Sequence, residues 1–381
     1  MSGAWIAGTG LTAFGKHSGK GPLELMAEAA QTALDEAGLE RGEVDGLITG
    51  YATTLPHLML STAFAELFGL RPAYAHAIQL GGATGAAMAM LADRLIRGGA
   101  ARRILIVAGE NRRTGHAPGG AQAALAQVGH PAAENPLGPT IPAYYALLAA
   151  RYLALTGATE ADLAALAVLM RRHASMTPGA HLPEPITEAE VLASPPIAPP
   201  LKLLDCCPVS DGAAALVLTA DRPAAAAVRV IGAGQAHLHQ HVTELSDLFA
   251  TGASASAGRA LAEAGVRAEE AAYLAIYDSF TVTLMMLLEE LGLAPRGQAG
   301  RMAREGAFSA EGARPLNTHG GLLSYGHCGV AGAMAHLVEA SRQMTGRAGA
   351  RQVRGEPALG LLHGDGGVLS SHVTLVLERG A

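Results

Sequence analysis

Short apolar runs alternate along the chain with segments in which apolar residues return at helical spacing, and this alternation predicts most of its elements. Trp5 to Gly8 reads as a strand. A Gly-rich loop follows, then a helix from Leu23 to Ala37 that carries Leu25, Ala29, Ala33 and Ala37 on one face and stops at Gly38. Val44 to Tyr51 is a buried strand. From Val228 the same grammar returns: VRVIGAG as a strand, a helix over Ala257 to Ala264 closed by Gly265, and AAYLAIYDSF as a strand running into a loop.

The match extends further. A helix from Ala83 to Arg97 leads into the strand RILIVAG, and a helix from Gly329 to Gln343 leads into ALGLLHG. Each half closes on one more strand, AAALVLT near Ala215 and HVTLVLE near Val373. Strands alternating with helices predict mostly parallel sheets covered on both faces, and the duplication predicts two of them packed through shared helices. The expected class is therefore α/β, two βαβαβαββ halves in a five-layer α/β/α/β/α body. Between Asn111 and Pro200 the pattern breaks into Pro/Gly-rich stretches and helices, Tyr144 to Leu155 and Glu160 to His173, with no counterpart in the second half. Residues 1–110 with 201–224 then form the first half, 111–200 an inserted loop domain and 225–381 the second half; insertions at the mouth of such a core commonly shape ligand sites.

Composition narrows the functions. With half of its 381 residues hydrophobic, the chain buries a large core. The formal charge of −6 is spread without long blocks of one sign, which argues against nucleic acid or an anionic membrane as partner. No charged leader precedes an apolar segment and no stretch is long and apolar enough to span a bilayer, so a cytoplasmic location is expected. Three cysteines, two of them adjacent, argue against a disulfide framework, and no metal-ligand spacing appears.

Four segments carry the candidate chemistry. Gly81-Gly82-Ala83-Thr84-Gly85 opens a helix; Tyr277-Asp278-Ser279-Phe280 ends a strand; Asn317-Thr318-His319-Gly320-Gly321 leads into Gly326-His327-Cys328-Gly329; and Leu362-His363-Gly364-Asp365-Gly366-Gly367 forms a Gly-rich loop near the C-terminus. In this order, over nearly the whole chain, they resemble the thiolase superfamily, specifically its sterol-carrier-protein-type branch. The resemblance implies the five-layer fold, coenzyme A thioesters as substrates with no covalently bound cofactor, and a homodimer. Gly82 stands where that family places its nucleophilic cysteine, at a helix N-terminus suited to a thiolate. Tyr277 and Ser279 replace the His and Cys of a second family element, and Cys328 sits where proline is usual. His327 matches the histidine that donates to the thioester oxygen.

Without the cysteine there is no acyl-enzyme of the usual kind. The resemblance to steroid side-chain-cleaving aldolases of the superfamily, which also lack it, implies a retro-aldol lyase acting on a β-hydroxyacyl-CoA. His327 and Tyr277 would then share the work of base and enolate support. Two alternatives stay open: an acetyl-CoA acetyltransferase-like acyl transferase, and a non-catalytic acyl-CoA-binding subunit. Some cysteine-less relatives work with a small OB-fold partner carrying a zinc ribbon, so such a partner is expected too. Asp278 either orients His327 or caps the helix over Thr281 to Leu291. Gly82, Ser279, Asn317, His319, Cys328, His363, Gly364 and Asp365 are expected to line the site. Arg112, Arg171 and Arg172 either meet CoA phosphates or are solvated helix-end cations, and the run Met285 to Leu288 reads as helix core.

Overall fold

A computed structural model describes residues 3–117 and 119–380. The first half runs β1 (Trp5–Leu11), α1 (Pro22–Ala37), β2 (Gly46–Gly50), α2 (Leu60–Phe68), β3 (Tyr74–Ile78), α3 (Thr84–Arg97) and β4 (Arg103–Asn111). Helices α4 (Gly120–Leu125), α5 (Ile141–Thr156), α6 (Glu160–Ala174) and α7 (Glu188–Ala193) follow, then a small hairpin of β5 (Pro196–Ala198) and β6 (Leu201–Lys202). β7 (Asp211–Thr219) completes that half. The second contains β8 (Val228–His237), α8 (Ala253–Ala264), β9 (Tyr273–Ile276), α9 (Thr281–Glu290), α10 (Ala299–Arg304), α11 (Gly321–Ser324), α12 (Val330–Met344), β10 (Leu359–Gly366) and β11 (Ser371–Arg379).

The strand orders of the halves mirror each other, β3-β2-β4-β7-β1 and β8-β11-β10-β9. In the first half only β7 runs against its neighbours, and in the second only β11 does, but because each sits between two others the sheet is mixed where the alternation predicts a mostly parallel one. β2 pairs in parallel with β3 and β4, and β9 with β10, while every ladder of β7 and β11 is antiparallel. One difference is that the two sheets meet. Trp5 and Ile6 of β1 pair with Arg229 and Val228 of β8, joining the halves into nine hydrogen-bonded strands. Helix α1 covers the outer face of one half, α8 that of the other, and α3 and α12 pack together between them.

The duplication is visible at the contact of main chains. Gly8 and Gly10 of β1 lie against the carbonyls of Ala33 and Ala29 in α1, and Gly232 and Gly234 of β8 lie against those of Ala260 and Ser256 in α8. A Cβ at any of the four would overlap a backbone oxygen, so glycine is required there by close approach. Helix α12 is buried along almost its whole length, polar Glu339, Ser341 and Gln343 included. Gly85 lets α3 approach it: a Cβ there would lie 2.8 Å from Met334 Cγ.

The α5 and α6 side chains Tyr145, Tyr152, Leu163, Leu166 and Met170 share one core with Leu284 to Leu288 of α9, so the methionine-leucine run is packing. Among the described residues no single helix is long and apolar enough to cross a membrane.

Candidate active site

The four Gly-rich segments converge where α3 and α12 begin. The turn before α3 is fixed by Thr84, whose hydroxyl donates to the Gly81 carbonyl at 2.6 Å and accepts from the Leu80 N–H at 2.8 Å. Gly81 has φ +54°, and a Cβ there would lie 2.8 Å from the Gly367 nitrogen, so this turn rests directly on the backbone of the C-terminal loop. Tyr277 leaves β9 tied to that loop as well, its N–H donating to the His363 carbonyl at 3.0 Å.

At Gly82 these constraints meet. A Cβ on Gly82 would overlap the Tyr277 hydroxyl and the Asp365 carbonyl and would lie 2.5 Å from Tyr277 Cε2. The phenol therefore fills the space into which a side chain at position 82 would project. The missing cysteine has not left a hole.

Beside it, Tyr277 Oη and His327 Nε2 are 3.3 Å apart, with the rings nearly perpendicular. The segment before β7 holds His327: its N–H donates to the Pro208 carbonyl at 3.1 Å, and its carbonyl accepts from Ser210 at 3.1 Å. Its Nδ1 accepts the Gly329 N–H at 3.2 Å. A neutral ring so engaged carries its hydrogen on Nε2 and presents a donor toward Tyr277. Burial, with Arg112 adding to it, pushes the His327 pKa down to about 3, so the ring is neutral at physiological pH. Burial pushes the Tyr277 phenol well above its usual range; Asp365 adds to that shift and Arg112 opposes it.

Arg112 is not a phosphate ligand. It is buried in an ion pair with Glu110 at 3.1 Å, beside the start of α12. Glu110 in turn accepts the N–H groups of Thr53 and Thr54 at 2.7 and 3.2 Å. Arg171 is buried too, donating to Ser324 Oγ and to the Glu184 carbonyl, both at 3.3 Å, and so pins α6 to α11. Arg172 lies on the surface, 3.7 Å from Glu311. None of the three offers a guanidinium free of protein partners.

Asp278 does neither of its expected jobs. Its carboxylate accepts the N–H groups of Leu322 and Leu323 at 2.8 and 3.4 Å and pairs with His336 Nε2 at 3.0 Å, so it caps the short α11 rather than α9 and does not touch His327. Burial raises its pKa. Asn317 is likewise spent on backbone, accepting from the Ile276 N–H at 2.9 Å and donating to the Ile276 carbonyl at 2.7 Å. It extends the edge of β9.

The other expected lining residues divide. His363 and Gly364 join Gly82, Tyr277 and His336 around a cavity of about 10 Å3, which is near the space one water needs. His363 is held by Thr374 Oγ1 at 2.8 Å and His372 Nδ1 at 3.1 Å, and burial keeps its pKa well below the usual value. Asp365 is wholly buried, accepts from the Tyr145 hydroxyl at 3.4 Å, and has its pKa raised well above its usual value by burial. Ser279 is buried with its hydroxyl unpartnered. His319 turns elsewhere, packed on His336. Cys328 is buried in the core between the sheets.

No thiol substitutes for the missing nucleophile. Burial pushes all three thiols up, Cys206 to about 12 and Cys207 and Cys328 well above their usual value, the opposite of what a reactive thiolate requires. Sequence reasoning missed Glu110, Tyr145 and His336. The available signal was weak: a carboxylate ending an apolar strand, and one histidine in an alanine-rich helix.

An α/β body with two matching halves and a pocket at paired helix N-termini defines a class, and comparison gives the family. The descriptions "Thiolase, N-terminal domain" and "Thiolase C-terminal domain-like" match residues 4–222 and 234–379, so the chain belongs to the thiolase superfamily. It is similar to the 17-hydroxy-3-oxo-4-pregnene-20-carboxyl-CoA lyase of Mycobacterium tuberculosis, 33% identical over 90% of this chain and 92% of that protein. It is also similar to the steroid side-chain-cleaving aldolase of Thermomonospora curvata, 35% identical over 84% and 85%. The acetyl-CoA acetyltransferase of Methanothermobacter thermautotrophicus is 28% identical over 97% and 98%. Among solved structures, an Ltp2-ChsH2(DUF35) aldolase superposes with a TM-score of 0.84 at 30% identity, covering 99% of this chain and 97% of that one. Within the superfamily the chain falls in the sterol-carrier-protein-type thiolase-like branch, and it is a thiolase-like acyl-CoA enzyme.

Proposed function

We propose that this enzyme breaks the bond between the α and β carbons of a β-hydroxyacyl-CoA by a retro-aldol reaction. The observation that carries the reading is the Tyr277 phenol occupying the place of a side chain at position 82, against a neutral His327. In its phenolate form Tyr277 takes the proton of the β-hydroxyl. The β carbon becomes a carbonyl, and the electron pair of the broken bond passes to the α carbon and onto the thioester oxygen. His327 Nε2–H donates to that oxygen, supporting the enolate. The proton on Tyr277 then returns to the α carbon, releasing a shortened acyl-CoA and an aldehyde or ketone. Tyr277 is the base rather than His327 because His327 Nδ1 is already occupied by a backbone N–H.

The test is cleavage of a β-hydroxyacyl-CoA by wild type, Tyr277→Phe and His327→Ala, with both products followed by mass. Tyr277→Phe should lose at least about a hundredfold in kcat, the low end for a positioned acid or base. Because burial raises the phenol, wild-type kcat/KM should climb through neutral pH without levelling below about 10. Equal rates in all three proteins would refute the assignment. An acetyl adduct on the intact enzyme after incubation with acetyl-CoA would favour the acyl transfer that several relatives' names suggest.

We further propose that the enzyme works as a homodimer with a small OB-fold, zinc-ribbon partner. Support comes from the two-component name of the aldolase above and from the apolar residues Leu137, Leu147 and Leu155 exposed on the insertion.

A further inference from the structure

Helix α12 has a cavity on each of two faces. Ala333, His336 and Leu337 border the small cavity beside Tyr277, whereas Ala335, Glu339 and Arg342 border a second one of about 220 Å3. That is below the roughly 300–1,000 Å3 of drug-sized pockets, and suits a compact metabolite. The reaction proposed above uses none of the side chains of this second cavity.

Its charges do not balance. Arg351 is matched by Glu339, with Nε–Oε1 2.9 Å and Nη2–Oε2 2.7 Å, and Arg347 by Glu36. Arg342, the third guanidinium on the wall, has no carboxylate within ion-pair distance and no hydrogen-bond acceptor among the described residues, although it is partly buried between Glu339, Tyr325 and Arg351. His319 lies on the same wall but is 2% exposed, with both ring nitrogens enclosed, so Arg342 is the polar group open to the cavity and without a partner among the described residues. A cation partly withdrawn from water with no counter-charge is costly.

We infer that this cavity binds a small organic acid, a monocarboxylate. The carboxylate would meet Arg342 through charge-assisted hydrogen bonds, which a planar guanidinium makes two at a time. The aliphatic part would lie along Leu11 and Pro178. Glu339, ionised because Arg351, Thr318 and Gln343 hold it, repels a second negative charge, so the site selects a monoanion. The His319 and His336 rings, centroids 4.9 Å apart, stand between the two cavities.

The experiment is calorimetric titration of the full chain with lactate and, separately, with inorganic phosphate at matched ionic strength. Lactate should bind saturably, and Arg342→Gln should weaken it about tenfold or more, as loss of one charge-assisted contact does. Leu11→Phe, which narrows the opposite wall, should weaken it too and guards against a folding defect in the first variant. Tyr277→Phe should leave it unchanged. Absence of saturable lactate binding, binding of phosphate alone, binding indifferent to Arg342, or binding lost with Tyr277 would each overturn the inference. Its failure would leave the lyase reading untouched, since cleavage is read separately.

Discussion

Putting a methyl group on Gly82 tests the geometry at the centre of the site. Gly82 does not adopt a left-handed backbone, so alanine there carries no conformational strain and, by restricting the unfolded chain, would by itself stabilise the protein by about 0.4–1 kcal/mol. The structure predicts the opposite sign, because the new carbon overlaps the Tyr277 hydroxyl and the Asp365 carbonyl and lies 2.5 Å from Tyr277 Cε2. Overpacking of this kind costs about 1–3 kcal/mol. Urea denaturation of wild type, Gly82→Ala, Tyr277→Ala and the double variant forms a cycle, and contact between the two positions should appear as a coupling of about 0.5–3 kcal/mol, with alanine at 82 better tolerated once the phenol is gone. Gly82→Cys should show the same loss of stability and form no acetyl-enzyme while Tyr277 is present. A Gly82→Ala protein as stable as wild type, with additive effects in the cycle, would refute the claim that the phenol has taken the nucleophile's place.

Two further outcomes follow from buried charge. Burial pushes His173 and His372 down to about 4 and His327 to about 3, so the folded chain refuses protons that the unfolded chain accepts below about 6.5; stability is full above that pH and falls as the medium is acidified toward 4, by up to about 1.4 kcal/mol per pH unit for each histidine. Urea midpoints unchanged between pH 7.5 and about 5 would contradict this. Glu110→Gln strands the buried Arg112 and should cost about 3–5 kcal/mol, most of it recovered in Glu110→Gln/Arg112→Met; a double variant no more stable than the single one would show that the ion pair is not the cause.

The duplicated halves could be read from the chain because their periodicity is strong and the matching outer helices are closed by glycines, Gly38 and Gly265. Strand β3 was not legible: it is an edge strand, half-exposed on both faces, with His76 at its centre, and it lacks both an apolar run and an alternation. The meeting of Gly82, Tyr277 and His327 was carried by short motifs and holds in three dimensions. Residues whose roles depend on distant partners were misread for that reason. Asp278 finds its partners at Leu322 and His336, Asn317 at Ile276, and Arg171 at Ser324, none of which local spacing reveals. The upward pKa shift of Asp365 was equally invisible, since it arises from enclosure rather than from sequence neighbours.

The glycine pairs of β1 and β8 bear on how such a protein can change over time. Where a helix meets its sheet only through side chains, each substitution shifts the seat; here the outer helices also touch bare main chain at these four glycines, which sets their distance from β1 and β8. Their solvent-facing positions are therefore free to drift while the strands beneath, and the loops those strands aim at the pocket, stay in register.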